Sequence, residues 1–320
     1  MRFAIACALV VLPLAPARGQ TAPAIDYHQH LFSPAAAALV TGDTAARGIS
    51  AADVIALLDS AGIRRALVLS VAYTWSSANR PPVANEHERV KAENDWTSQQ
   101  VARYPDRLRA FCSVNPLRPY ALGEIARCAR DPQLRFGLKL HFGNSDVDLD
   151  NPEDVAKVRA VFRAADSLRM AIVVHMRTSI AKRRGYGRKE ALVFLEQLLP
   201  AAPDVPVQIA HLAGAGDYTE PAVDSALSVF VEAIARHDPR MRRVWFDVTT
   251  VVRPGIAPET AALVVRRLRQ IGLRRVLYGS DAAGGGNLPP RAGWAAFRQL
   301  PLAEQEFRTI ASNVTPYMRW

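Results

Sequence analysis

Eight times along this chain a short apolar run is followed by a polar loop and an amphipathic stretch of helical period, and this recurrence limits the possible folds more than any other feature. The runs predict strands over 25–32, 64–72, 108–115, 137–143, 170–177, 206–213, 244–251 and 275–281. Helices are expected over 50–61, 86–103, 119–130, 152–168, 187–199, 220–237 and 258–271, with a last one near 302–311. Ser50 and Asn151 suit helix N-caps, the second just before Pro152, while Gly62 and Gly272 suit the left-handed residue that stops a helix. Such alternation implies a parallel α/β sheet, either open and doubly wound or closed. Polar residues decide between the two. They sit at the C-terminal ends of the first, fourth, fifth, sixth and eighth runs, and only a closed (β/α)8 barrel of the TIM type makes all of those ends neighbours. No glycine-rich phosphate fingerprint follows the first run, which weakens a dinucleotide-binding reading. The 320 residues suit one such barrel, which often needs about 250, so a single domain is expected over 23–320.

Residues 1–22 read differently. Arg2, the apolar run from Phe3 to Leu14 and the small residues Ala15-Pro16-Ala17 have the order of a secretory signal, with cleavage after Gly19 or Ala22 equally open. The run is too short to span a bilayer comfortably, so export to a periplasm or the exterior is expected, without a stable membrane anchor. Cys7 lies inside this segment; of Cys112 and Cys128, two free buried thiols are the default, although a strand-to-helix bridge is geometrically conceivable. Forty basic against thirty acidic residues give a formal charge of +10. The basic residues look scattered, with local groups only at Lys182-Arg183-Arg184 and Arg240-Met241-Arg242-Arg243 and no nucleic-acid module, so solvated loops and helix ends are expected rather than a nucleic-acid partner.

The chemistry begins in Ile25-Asp26-Tyr27-His28-Gln29-His30, where two histidines one residue apart on a strand point to the same side. Alone the pair is a weak motif, and two polar residues at a strand end facing water would read the same way. His175 ends the apolar run Met170–Val174, where burial without a partner would be expensive. His211 ends Val207–Ala210, and Asp281 closes Val276–Ser280. One such residue is an ordinary buried polar group; four histidines and an aspartate at equivalent strand depths are a constellation. His28, His30, His175 and Asp281 offer nitrogen and carboxylate ligands to a divalent metal with a position left for water.

These residues resemble the amidohydrolase superfamily, in its amidohydrolase-related (amidohydrolase 2) branch, across essentially the whole mature sequence. The likeness rests on Asp26-Tyr27-His28-Gln29-His30, Gly137-Leu138-Lys139-Leu140-His141, Val174-His175, Ala210-His211-Leu212-Ala213-Gly214 and Tyr278-Gly279-Ser280-Asp281. The resemblance implies one divalent ion, usually zinc, on His28, His30, His175 and Asp281, with His211 polarising substrate or helping to activate water. It also implies an alternative in which a carboxylated Lys139 bridges two metals and His211 serves the second; otherwise Lys139 orients the site. Family barrels often form dimers, although no stretch here marks an interface.

A metal-activated water attacking an ester, lactone or amide of a small molecule is the reaction expected, with Asp281 moving the proton and His211 stabilising the oxyanion. Decarboxylation of an aromatic or unsaturated acid uses the same ligands and stays open, as does a non-enzymatic periplasmic binding barrel. Arg177, two residues beyond His175, shares its inward parity and could clamp a substrate carboxylate or simply begin a surface loop. The long connection 72–85, with Tyr73 and Trp75, is expected over the mouth as substrate-binding surface. Tyr186, Arg188, Arg253 and Gly284-Gly285-Gly286 fall on other mouth-side loops; His87 and His237 look like surface histidines, and His141 could serve packing or support the site.

Overall fold

Each apolar run becomes a strand, shorter than its run. In the computed structural model, which describes residues 21–283 and 286–319, the strands are Ile25–Gln29 (β1), Arg65–Leu69 (β2), Leu108–Ser113 (β3), Gly137–His141 (β4), Ala171–His175 (β5), Val207–Ile209 (β6), Val244–Asp247 (β7) and Val276–Leu277 (β8). They pair in parallel in chain order. Backbone hydrogen bonds from Tyr27 N to Tyr278 O (2.9 Å) and from Asp281 N to His28 O (2.8 Å) join the first strand to the last and close a (β/α)8 barrel. The expected secretory segment lies, apart from Thr21 and Ala22, outside the described residues, as do Gly284 and Gly285.

Helices occupy all the expected stretches. Ser50 and Asp53 form a capping box at Ala51–Ala61, Asn151 caps Pro152–Ser167 through Glu153 N, and Gly62 stops its helix at φ 69°. The stretch 187–199 is helical only over Arg188–Val193 and then widens into a π turn, Phe194–Leu198. Pro34–Thr41 and Pro290–Phe297 are helices in stretches read as loop, and Phe142–Ser145 is a helical turn that begins inside the expected strand 137–143. The first starts with Ser33 accepting from Ala36 N ahead of Pro34, a cap signal plain in the sequence. Among the described residues no helix is long and apolar enough to cross a membrane.

The interior of the ring is layered. At the N-terminal strand ends, called here the floor, Arg65, Arg109 and Trp245 share the inward parity of Leu67, Phe111 and Asp247. Above them Tyr27, Leu67, Phe111, Val173 and Leu277 form an apolar layer, plugged by Tyr317 and Met318 from the C-terminal segment. The mouth layer is polar. A bulge in β1 makes this possible: Asp26 faces Ala66 and Gln29 faces Val68, so Tyr27 and His28 together oppose Leu67. Without the extra residue, strict alternation would turn His28 and His30 outward whenever Ile25 and Tyr27 point in.

Outside the ring a larger core fills the space under the helices. Within it Cys112 of β3 and Cys128 at the end of Ala121–Cys128 are bonded, their Cα atoms 6.1 Å apart, which overturns the expectation of free thiols. Both side chains lie in this outer layer, where the helix returns against its own strand.

Candidate active site

Four histidine rings form a continuous row at the mouth. His30 and His28 have centroids 5.2 Å apart, His28 and His211 4.8 Å, and His211 and His175 4.9 Å. His175 in turn stacks on His141 at 3.9 Å, the two facing each other across β4 and β5. His211 does not reach the row by strand parity. Its strand ends at Ile209, and the chain turns through left-handed backbone at His211, Leu212 and Ala213 (φ 53°, 48° and 68°), a conformation costing of order 1 kcal/mol or more at each non-glycine residue. Asp281 is also left-handed, at φ 53°. Gly279 lets the chain ahead of it approach closely, because a Cβ there would lie 2.7 Å from the Cβ of His28 and collide with Thr249 Oγ1.

Hydrogen bonds fix which nitrogen faces the site. His28 Nδ1 donates to Asp247 Oδ2 (3.1 Å), His30 Nδ1 to Leu69 O (2.6 Å) and His211 Nδ1 to Thr249 O (2.9 Å). Each partner only accepts, so all three imidazoles carry their proton on Nδ1 and present a bare Nε2. His141 is the opposite tautomer: its Nδ1 accepts from Asn144 N (3.1 Å), leaving an Nε2–H donor. Asp281 Oδ1, 3.5 Å from His30 Nε2, has no hydrogen-bond partner despite being buried. Ligand atoms of His28, His211 and Asp281 all lie within 4.8 Å of one another. An orphaned carboxylate oxygen beside several bare imidazole nitrogens is a donor set that fits a divalent cation.

Asp247 is the supporting residue that sequence reasoning missed. Completely buried, it also accepts from Gln208 Nε2 (2.6 Å), His211 N (2.8 Å) and Thr249 N (3.2 Å). Burial alone would raise its pKa, but His28 and these donors hold the carboxyl below its usual range. Asp26 braces the other side through Ser280 Oγ (2.6 Å), Ser280 N (3.0 Å), Gln29 Nε2 (2.9 Å) and His28 N (3.1 Å).

Charge in the mouth is tuned by exclusion of water. Burial, with Lys139 or another ring adding to it, holds His28, His141 and His175 well below the ordinary imidazole value and takes His30 to about 3. His211 is also lowered, chiefly by burial. The imidazoles are therefore neutral at pH 7. Burial brings the Lys139 ammonium down to about 8, although Asp247 and Asp281 favour its charge. It raises the Asp281 carboxyl to about 7 against the pull of Lys139, and Asp247 and Asp26 raise it further. Lys139 Nζ lies 3.2 Å from His28 Nε2.

The family model for amidohydrolases matches residues 25–313. The chain belongs to the amidohydrolase family. It is an enzyme of the amidohydrolase superfamily. Among solved structures it is similar to a probable 2-pyrone-4,6-dicarboxylic acid hydrolase from Acinetobacter baumannii with citric acid bound (18% identity, 90% of this chain and 96% of that one, TM-score 0.58). It is also similar to 5-carboxyvanillate decarboxylase from Sphingomonas paucimobilis (18%, 90% and 96%, TM-score 0.61) and to an amidohydrolase from Burkholderia multivorans with bound zinc (10%, 90% and 96%, TM-score 0.61). At these identities the likeness is one of fold. No curated protein matches the chain.

Within this amidohydrolase site, the residues expected from sequence separate. His28, His30, His175, His211, Asp281 and Lys139 gather at the mouth, although the tightest ligand group contains His211 rather than His175. A bare Nε2 on a neutral His211 accepts rather than donates, which corrects its expected part as oxyanion donor. Tyr73 borders the site, its ring 4.9 Å from that of His141. Trp75 instead packs with Ala36, Val71 and Val90, beneath Arg89. Both sit in the 3₁₀ helix Ala72–Ser76, where side chains two apart diverge. Arg177 is not free to clamp a substrate. Its fork holds Glu220 (2.7 and 3.2 Å) and lies over the Tyr186 ring, an ion pair 43 residues distant in sequence.

Proposed function

We propose that this chain is a hydrolase of small esters, lactones or amides working with one divalent metal ion, zinc by preference. The observation that carries it is the convergence of bare Nε2 atoms on His28, His30 and His211 with the unpartnered Oδ1 of Asp281. These four residues, with His175 adjoining, would hold the ion. Bound there, a divalent ion supplies Lewis acidity, polarising a carbonyl and lowering the pKa of water. Asp281 takes the proton of the attacking water and returns it to the leaving group. The Nε2–H of His141 replaces His211 as donor to the developing oxyanion, and Lys139, 3.2 Å from His28 Nε2, would yield that nitrogen to the ion and orient the site as a cation beside Asp281.

A second reading, decarboxylation of an aromatic or unsaturated acid, is supported by the likeness in fold to 5-carboxyvanillate decarboxylase, with Asp281 then delivering the proton to the carbon that loses carbon dioxide. A panel of lactones and esters followed by acid release, run beside a carbon dioxide assay on aromatic acids, separates the two reactions; metal-dependent acid release is expected. Carbon dioxide release alone would replace the first reading by the second. Export, expected from residues 1–22, belongs to the same proposal and is checked by the N-terminal residue of the protein recovered from the periplasm.

A further inference from the structure

The floor of the barrel concentrates charge that looks scattered in sequence. Arg65 begins β2, Arg107 precedes β3, Arg135 precedes β4, Arg169 precedes β5, Arg242 and Arg243 precede β7, and Arg274 and Arg275 precede β8. Parallel strands all start at the same end, so these arginines meet on one face, where Arg308 and Arg319 of the C-terminal segment join them. Three grooves open there. One of about 580 Å³ is lined by Arg109, Arg135, Arg169 and Arg319, one of about 690 Å³ by Arg274, Arg308 and Arg319, and one of about 250 Å³ by Arg240, Arg242 and Arg243. Among the described residues, none of the three linings contains an acidic side chain.

Some floor cations are neutralised, Arg107 by Asp59 and Arg240 by Asp238. Arg135, Arg169, Arg242, Arg243, Arg274 and Arg319 are exposed, and among the described residues no carboxylate lies within ion-pair distance of them. Crowding shows inside the groove as well, where burial and the neighbouring Arg65 and Arg135 lower the pKa of Arg109. The rim of the mouth is built otherwise: Arg177 pairs with Glu220, Arg184 with Asp146 and Asp148, Arg188 with Glu232, Lys189 with Asp150 and Arg253 with Asp217. Two of the four large apolar side chains that are exposed among the described residues, Leu168 (39%) and Val314 (43%), also lie at the floor, lining the two largest grooves there.

We infer that the floor is a docking face for an anionic lipid surface, on which the enzyme rests reversibly with its mouth turned to solution. A bilayer is the partner that matches a face rather than a stripe: it spreads negative charge over a plane and accepts exposed aliphatic side chains at its headgroup boundary. A duplex would favour a basic stripe tracking its backbone, and a single strand would want open aromatic platforms. Here the Phe136 ring is already covered by the Arg109 and Arg135 guanidiniums, at 4.2 and 5.1 Å.

Vesicle sedimentation of the purified chain tests this, using phosphatidylcholine with and without phosphatidylglycerol. Binding is expected only to the anionic vesicles, weakening by about tenfold or more on moving from low salt to about 0.5 M, where screening is strong. The combined variant Arg135→Gln, Arg169→Gln, Arg274→Gln, Arg319→Gln should bind about a hundredfold or more weakly, with an unchanged melting midpoint and unchanged turnover. Leu168→Ser with Val314→Ser should lose only a few-fold. Binding to neutral vesicles as strong as to anionic ones, no binding at low salt, or full binding by the folded four-arginine variant, which would shift the contact to another segment such as residues 1–20, would each overturn the inference. So would a preference for duplex DNA over anionic vesicles at equal phosphate.

Discussion

The two ends of this barrel are made from the same strands and treat charge in opposite ways. At the mouth Lys139 and His28 are 1% exposed, the Nδ1 atoms of His28, His30 and His211 each have an acceptor, and Arg177, Arg184, Arg188, Lys189 and Arg253 of the rim are tied to carboxylates. At the floor exposed arginines gather, and among the described residues no acidic side chain lines the grooves between them. The apolar layer of Tyr27, Leu67, Phe111 and Val173 separates the two. Balanced, buried charge fixes donors and lone pairs in advance, as binding a metal and moving a proton require. Unbalanced, solvated charge does little inside the molecule and acts on what lies outside it.

The largest effect that would sharpen this contrast is Asp281→Asn, which should lower kcat/KM on the best hydrolysed substrate by about a thousandfold or more while the melting midpoint holds. A loss below tenfold would break the assignment of the mouth. Next comes acid lability. In protein treated with a chelator, the folded chain keeps five mouth imidazoles neutral that an unfolded chain protonates below about 6.5. Depressed folded values mean that the unfolded state binds more protons, so stability falls as pH drops below that point, by up to about 1.4 kcal/mol per pH unit for each ring. Asp26, raised to about 6, and Asp281, raised to about 7, work the other way, because the folded chain takes their protons first; five rings outweigh two carboxyls. Urea titrations across pH 4–8 measure this, and the four-arginine floor variant should follow the same curve, since its arginines do not titrate there. A flat profile would contradict the neutral cluster.

Asp247→Ala should weaken metal affinity by about 10–100-fold in a competitive chelator titration, because His28 loses the acceptor that fixes its tautomer. Unaltered affinity would show that Asp247 does not orient His28. The smallest effect separates rim from floor: Arg184→Ala should cost less than about 1 kcal/mol for its half-exposed pairs, whereas Arg169→Ala should cost nothing or stabilise slightly. Equal losses at both sites would mean that the floor arginines have internal partners after all.

Much of the mouth was legible because a charged or aromatic nitrogen residue ending an apolar run is hard to explain otherwise, and His28, His30, His175, His211 and Asp281 all carry that mark. Asp247 carries it too, closing Val244-Trp245-Phe246, and the same reasoning applied to the seventh strand would have found it. What sequence could not reveal depended on three dimensions. The bulge at Tyr27 and His28 leaves no signature in residue type, and the turn at His211 uses left-handed backbone without glycine. Arg177 kept its expected place but met Glu220, and Trp75 turned into the core because the mouth segment is a 3₁₀ helix. The floor was the most hidden. The arginines at strand starts are divided among six strands, so they look dispersed until parallel order brings every strand start to one face.

Elemental analysis of the purified chain tests the central claim most directly. About one divalent ion per chain is expected, lost in His28→Ala and in Asp281→Ala and kept in the four-arginine floor variant, with all of these proteins folded. A wild-type chain that folds, turns over substrate and carries no metal, or histidine and aspartate variants that keep it, would contradict the assignment of the mouth as a metal centre.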